Sequence, residues 1–308
     1  MPPNPFLERT WLLLGTGLAL GLAMPLGKLA GEGGVGALSF ALLPAGGAAL
    51  VLSLLAWRQH GWPASPARLF RFGAVAGLLG NAVPNTLTAW LSLTAGASFT
   101  GFAYTLPPVF TLGLLLLLRW ERWQVTRAGA VALGLAGALW LVIVRMQAGQ
   151  MTGTAGVLLL LVPLAIGAGN VYRFRWLPPD APSTWMGAAA ALGAFGWLLP
   201  AWALAPEPFS SLGEDGLIYL AFQVLAAAIG LSLFFQLQLR SEPVTMSFVG
   251  YVIALAAALS SALLLNERLP LQLMPAALLI GTGFWLVQRA PSTIQATTNE
   301  STRDPARG

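Results

Sequence analysis

Between Trp11 and Val287 the chain is a succession of apolar runs, separated by short polar turns. A hydrocarbon core about 30 Å thick takes roughly 20 residues of helix per crossing, and about ten such segments fit in this stretch. With 56% hydrophobic residues, 9% charged and a mean hydropathy of +0.73, a water-soluble domain would be left with far too much apolar surface. The runs therefore predict an all-α integral membrane protein.

The chain also contains one pattern twice. A shift of 146 residues places Phe102, Leu117, Leu118, Glu121, Arg122, Leu133 and Gly137 on Phe248, Leu263, Leu264, Glu267, Arg268, Leu279 and Gly283. Each copy reads as an apolar helix, a charged turn and a second apolar helix. The same shift, without a gap, puts Leu12-Leu13-Leu14 on Leu158-Leu159-Leu160, Leu18-Ala19 on Leu164-Ala165 and Gly21 on Gly167. A single offset that serves both the first and the last helices of each half indicates two homologous halves.

The predicted organisation is a short leader (1–10), a first five-helix repeat (11–148), a second (153–288) and a polar tail rich in Ser, Thr and Pro (289–308), expected to be disordered. The first half carries segments over Trp11–Ala30, Gly36–Trp57, Phe72–Leu93, Ser98–Leu118 and Arg127–Met146. The second carries Gly156–Tyr172, Thr184–Ala205, Leu217–Leu239, Val244–Leu265 and Leu271–Val287. The first segment is too long for a signal-peptide core, and its counterpart is internal, so it is read as a crossing. The residues from Arg58 to Arg71 read as a basic loop around the one histidine, His60, which is taken as solvated.

Basic residues orient the helices. With the N-terminus in the cytoplasm, Arg9, Arg58, Arg68, Arg71, Arg119, Arg122, Arg127, Arg173, Arg175, Arg240, Arg289, Arg303 and Arg307 lie inside, while Lys28, Arg145 and Arg268 lie outside. This predicts ten crossings of a cytoplasmic (inner) membrane with both termini in the cytoplasm. Five crossings per half is an odd number, so the second half enters upside down. Such inverted repeats suit alternating access, because like halves of opposite orientation give inward-open and outward-open states of similar energy.

The end of each half resembles the drug/metabolite transporter superfamily, specifically its EamA-like members with two five-helix repeats. The residues that carry the resemblance are Ala95-Gly96-Ala97-Ser98 to Pro107-Pro108-Val109-Phe110, Leu118 to Glu121-Arg122 and Gly129 to Gly137, then Ser241-Glu242-Pro243, Tyr251, Leu265 to Glu267-Arg268 and Gly283. The family's Trp in its first helix and Arg in its second are missing, the latter where this chain has Ser39-Phe40-Ala41. The resemblance implies export or exchange of small metabolites, often amino acids or related amphipathic compounds, through a pocket between the repeats.

Polar side chains in the middle of apolar helices are the natural candidates for such a pocket. Asn81 and Asn85 stand four apart, on one helix face, with Pro84 between them freeing a carbonyl. Asn170, Tyr172, Gln236 and Gln238 are similar candidates nearer helix ends. Trp90, Tyr104, Phe235, Tyr251 and Trp285 can form apolar walls or stack on a ring, and lipid contact or interfacial anchoring is the competing role of each. Lys28 can attract a carboxylate or snorkel to the outer surface. Glu121, Arg122, Glu267 and Arg268 look like turn or gating devices, and Pro25, Pro84, Pro107 and Pro108 like helix breakers.

The absence of cysteine excludes disulfides, thiolate metal sites and a Cys nucleophile. No His/Asp/Glu cluster, phosphate loop or triad is present, so no catalytic residue, metal or cofactor is expected and the chain is not read as an enzyme. The expected partners are a small-molecule substrate and the lipid bilayer, without nucleic acid, for a monomer or weak homo-oligomer. No Asp or Glu falls inside an apolar segment, which points to a facilitator or exchanger over a proton-coupled carrier. The competing reading is a membrane-embedded protein that does not transport: a sensor, an assembly partner or a lipid-modifying enzyme.

Overall fold

The computed structural model describes residues 5–120, 125–147, 152–207, 214–240 and 243–266, together with 274–275, 278–279 and 282. Every regular element among them is helical. Six helical stretches are long and apolar enough to cross a membrane: Glu8–Glu32, Ala37–His60, Phe99–Leu117, Gly153–Trp176, Ser183–Leu204 and Glu214–Arg240. The protein is thus all-α among its described residues, with membrane-spanning character. The segment expected over Leu271–Val287 falls almost wholly outside them, as do Glu121, Arg122, Glu267, Arg268 and Trp285.

Proline and glycine decide where the apolar runs break. The first run divides at Leu22 into α1 (Pro5–Gly21) and α2 (Ala23–Glu32). Pro25 has no N–H to offer the Gly21 carbonyl, so the helical ladder lapses there. Helix α3 (Ala37–His60) ends at Gly61, whose φ of 68° is open to glycine at no steric cost, and Pro66 opens α4 (Pro66–Gly77) at a position where its missing N–H is not needed. The basic loop expected from Arg58 to Arg71 is corrected by this: His60 belongs to the last turn of α3, and Arg68 and Arg71 to α4.

Helix α4 passes into a π turn (Leu78–Ala82) and then α5 (Val83–Ala95). The Val83 N–H reaches five residues back to the Leu78 carbonyl. The wider turn accommodates Pro84, whose ring would crowd the carbonyl four residues before it in a tight α-helix. The next run is broken too, into α6 (Ala97–Phe102), a 3-10 turn (Ala103–Thr105) and α7 (Pro107–Leu117). Pro107 and Pro108 do not sit inside a helix but begin one. The later helices are longer: α8 (Val125–Gln147), α9 (Gly153–Trp176), α10 (Ser183–Leu204), α11 (Glu214–Arg240) and α12 (Pro243–Leu265). The Thr152 hydroxyl caps α9 by accepting from the Ala155 N–H at 3.2 Å.

Both α7 and α12 are followed by a non-glycine residue with positive φ, Arg119 at 56° and Asn266 at 51°. After α7 the Trp120 N–H returns to the Leu115 carbonyl at 3.0 Å and the Arg119 N–H to Leu116 at 3.1 Å, a left-handed close of the helix. The two closes immediately precede the charged turns Glu121-Arg122 and Glu267-Arg268.

Helices pack through small residues, which lets backbones approach where lipid supplies no hydrophobic drive. Helix α10 lies against α3 and α4, α1 against α11 and α12, and α9 against α5 and α7. Between α4 and α10, a Cβ at Gly73 would fall on the Ala189 carbonyl and one at Gly193 on the Gly73 carbonyl. Two further contacts are related to each other by the shift of 146 residues. A Cβ at Gly21 would lie 2.6 Å from Ala256 Cβ and 3.1 Å from Ala257 N, while one at Gly167 would lie 2.9 Å from Phe110 Cβ and 3.0 Å from Thr111 N. Moving Gly21 forward by the shift gives Gly167, and moving Ala256 and Ala257 back gives Phe110 and Thr111.

The same exchange relates two polar contacts at opposite ends of α3. Glu207 caps the start of the helix, accepting from Leu38 N at 3.2 Å and Ser39 N at 2.8 Å. At the other end the Trp185 indole N–H donates to the Gly61 carbonyl at 3.1 Å. The shift carries Ser39 to Trp185 and Gly61 to Glu207.

Candidate functional site

The polar groups that the structure draws together centre on Arg173. This residue was expected among the cytoplasmic charges; the structure corrects that, leaving only 5% of it exposed. The reason is helical geometry. Side chains lean toward the N-terminus of their helix, so a residue in the last turn of α9 points back into the bundle. Arg175, two positions on and roughly 200° around the helix, is exposed.

The guanidinium is held from three sides. Its Nη2 donates to Asn170 Oδ1 at 2.5 Å, one turn earlier on α9. Asn170 Nδ2 in turn donates to the Thr111 hydroxyl on α7 at 3.2 Å. Arg173 Cζ lies 5.1 Å from the centroid of Phe234 on α11, within cation–π range. The third side is made of glycine: a Cβ at Gly80 in the π turn would stand 2.7 Å from Nη1, and one at Gly169 would stand 3.3 Å from it. Any side chain at Gly80 would displace the guanidinium.

Aromatic rings continue outward from this point. Phe234 meets Phe235 edge to face at 5.4 Å, Phe235 meets Phe72 at 6.4 Å, and Phe72 stacks on Tyr172 at 5.9 Å. Tyr172 stacks on Trp176 at 5.1 Å, and Trp176 approaches Trp120 at 5.9 Å. This chain of rings runs from α11 across α4 to the ends of α9 and α7. Arg71 on α4 is near enough to act electrostatically on Tyr172.

Of the residues singled out in the sequence, Asn170 and Tyr172 belong to this cluster. Asn81 follows Gly80 in the π turn and is half-buried, as is Asn85. The Thr88 hydroxyl takes up the backbone beside them, donating to the Pro84 carbonyl at 2.8 Å. Tyr104 is buried and hydrogen-bonded to Thr88, bracing the 3-10 turn against α5. Gln236 is used within α11, donating to Ser232 at 3.2 Å and accepting from Arg240 at 3.5 Å, while Arg240 pairs with Glu8 at 3.2 Å. Tyr251 is half-buried against the core around α12, Gln238 half-buried on α11, and Lys28 half-buried on α2. Trp90 is 38% exposed on the outer surface of α5, away from any interior wall.

Arg173, Thr111, Phe234 and Gly80 were not singled out in the sequence. The Asn170 to Arg173 spacing of three residues, on one helix face, was the available signal. Among the described residues no group of His, Cys, Asp and Glu is arranged to hold a metal ion.

The sequence matches no family model and no curated protein. Solved structures do match. One crystal structure of a protein 16% identical in sequence superposes with a TM-score of 0.59, over 88% of this chain and 94% of the other. That likeness is one of fold.

Proposed function

We propose that this protein is an alternating-access carrier of small metabolites, built from two inverted five-helix repeats in the manner of EamA-like drug/metabolite transporters. The observation that carries the reading is the exchange of contacts under the shift of 146 residues. Gly21 with Ala256 and Ala257 becomes Gly167 with Phe110 and Thr111, and Ser39 with Glu207 becomes Trp185 with Gly61. An exchange of partners between halves, at opposite ends of the same helix, is the relation a two-fold axis in the membrane plane would produce. The six long apolar helices, the run from α4 through the π turn to α5, and helices α8 and α12 account for nine of the ten crossings, with the tenth following Arg268. Both termini then lie in the cytoplasm of a cell bounded by this membrane.

The two arrangements of such a molecule are close in energy because each half can adopt the conformation of the other. The cargo site lies between the repeats, where α9, α11, α7 and the π turn meet. Its cargo is an amino acid or a related amphipathic or aromatic compound. Within the helices the acidic groups keep to the ends, Glu8 in the first turn of α1, Glu32 closing α2, and Glu214 and Asp215 opening α11. With no carboxylate at mid-depth to carry a proton, transport runs as facilitation or exchange, down the gradient of the cargo or a counter-cargo.

The natural absence of cysteine makes this reading directly testable. Asn81→Cys places a single thiol in the π turn. In a carrier that opens to both faces, a membrane-impermeant thiol reagent added to either side of oriented vesicles modifies it, and an excess of cargo slows both reactions. Labelling from one side only, or from neither, contradicts alternating access at this site.

A further inference from the structure

The geometry points to Arg173 as the counter-ion of one carboxylate on the cargo, which makes the cargo a small organic monoanion or zwitterion with an apolar or aromatic body. This inference rests on the carrier reading and narrows it. It begins with a charge that nothing on the chain answers. Arg173 is 5% exposed, and a guanidinium cannot shed its proton to escape burial. Among the described residues the ion pair present is Glu8 with Arg240, at the far end of α11 from its first turn, and no carboxylate pairs with Arg173. The one acceptor those residues give it is Asn170 Oδ1. A buried charge without a counter-charge costs several kcal/mol, and a guanidinium has five N–H donors to satisfy.

The surroundings are arranged to keep that charge in place. Asn170 is itself anchored by Thr111, so the one bond to Nη2 fixes the orientation of the guanidinium plane. Gly80 and Gly169 leave it room from two different helices. Phe234 covers it without consuming a donor. A planar guanidinium with unused donors matches the two oxygens of a carboxylate in a forked pair. A single arginine is enough for one such group but not for a polyphosphate, which calls for several basic side chains. The rings beyond Phe234 then supply apolar walls for the rest of the molecule.

The test is ligand binding by the full-length protein in detergent with defined lipid, read as thermal stabilisation and as titrated affinity. The probes are benzoate, phenylalanine and indole-3-acetate, each beside its neutral amide, with inorganic phosphate and the anionic lipid phosphatidylglycerol as further arms. At least one acid is expected to bind the wild type while its amide does not. Arg173→Gln should weaken that acid on the order of 100-fold, the scale of losing charge-assisted hydrogen bonds. Arg173→Lys should lose less, because the charge remains while the forked geometry is lost. Gly80→Ala, which leaves Arg173 in the chain and only crowds Nη1, provides a second variant and should weaken the acid about tenfold.

Equal binding of acid and amide, unchanged acid binding in Arg173→Gln, or no binding of any probe overturns the proposal. Arg173-dependent stabilisation by phosphatidylglycerol in the absence of acid binding overturns it in favour of a lipid headgroup. The two readings fail separately. Acid binding without flux in proteoliposomes would remove the carrier and leave the anion site, whereas flux of neutral compounds indifferent to Arg173 would remove the anion site and leave the carrier.

Discussion

Gly73→Leu is expected to abolish the folded bundle or to lower its stability by about 4 kcal/mol or more, a fall in Tm on the order of 10 °C for a chain of this size. Helices α4 and α10 meet backbone to backbone. The first atom of any side chain at Gly73 would fall on the Ala189 carbonyl, and the reciprocal position, Gly193, faces the Gly73 carbonyl. Gly77 repeats the arrangement one turn later against Ala190 and Ala194. Flexible side chains can step aside from a larger neighbour, usually at a cost of about 1–3 kcal/mol. Here the obstacle is main chain, so a whole helix would have to move. Moving it would also part Phe72, Leu69 and Ala76 from Trp185, Met186 and Ala189, which form one buried cluster. Thermal unfolding followed by fluorescence-detected size exclusion reads the effect, and Gly196→Leu, where a Cβ meets nothing within 4 Å, serves as the control expected to change little.

The second large effect concerns a pair of substitutions. Gly21→Leu and Gly167→Leu should each cost about 3–5 kcal/mol, and by similar amounts. The two glycines occupy equivalent positions under the shift of 146 residues, and each faces backbone of a partner helix from the opposite half: Ile253 O at 2.8 Å and Ala257 N at 3.1 Å for Gly21, Thr111 N at 3.0 Å and the Phe110 carbonyl carbon at 3.2 Å for Gly167. In the double variant the costs should add, because the two contacts share no side chain. Matched losses in thermal stability support the equivalence of the two interfaces. A loss confined to one glycine would mean that the halves are not packed alike.

Much of the architecture was legible in the sequence, for an identifiable reason. Lipid demands a continuous helical ladder, so an apolar run such as Ala37–His60 or Glu214–Arg240 declares itself by length alone. The prolines were legible as breakers, but not the kind of break each makes. Pro25 interrupts a helix, Pro84 follows a π turn and Pro107 starts a helix, because the answer depends on which neighbouring groups can take up the released carbonyl. Arg173 was misread because a charge near the end of a run is ordinarily a loop charge. Its direction follows from the N-terminal lean of helical side chains and from Asn170 three residues earlier, which composition and charge counting both ignore. Conversely, Trp90 read as a possible wall of the pocket because an aromatic residue in a spanning segment carries no sign of which side it faces, and the structure turns it outward.

The repeat itself carried information beyond its residues. The pattern around Glu121 and Glu267 marked two homologous halves, and the structure added contacts that the alignment could not contain. Glu207 and Gly61 are unlike in chemistry, yet they occupy equivalent positions and each closes an end of α3. A carboxylate receives two backbone N–H groups at the start of the helix, and a carbonyl receives an indole N–H past its end. The positions are equivalent, and different atoms fill them.

The central claim is that the halves cross the membrane in opposite senses, and single-cysteine accessibility in intact cells tests it most directly. Ser65 lies in the connection between α3 and α4, and Ala205 at the end of α10, in the corresponding connection of the second half; both are exposed. On this account a membrane-impermeant thiol reagent labels Ala205→Cys in intact cells and reaches Ser65→Cys only after the membrane is permeabilised. Labelling of both from the same side would contradict the inverted repeat, and with it the carrier built upon it.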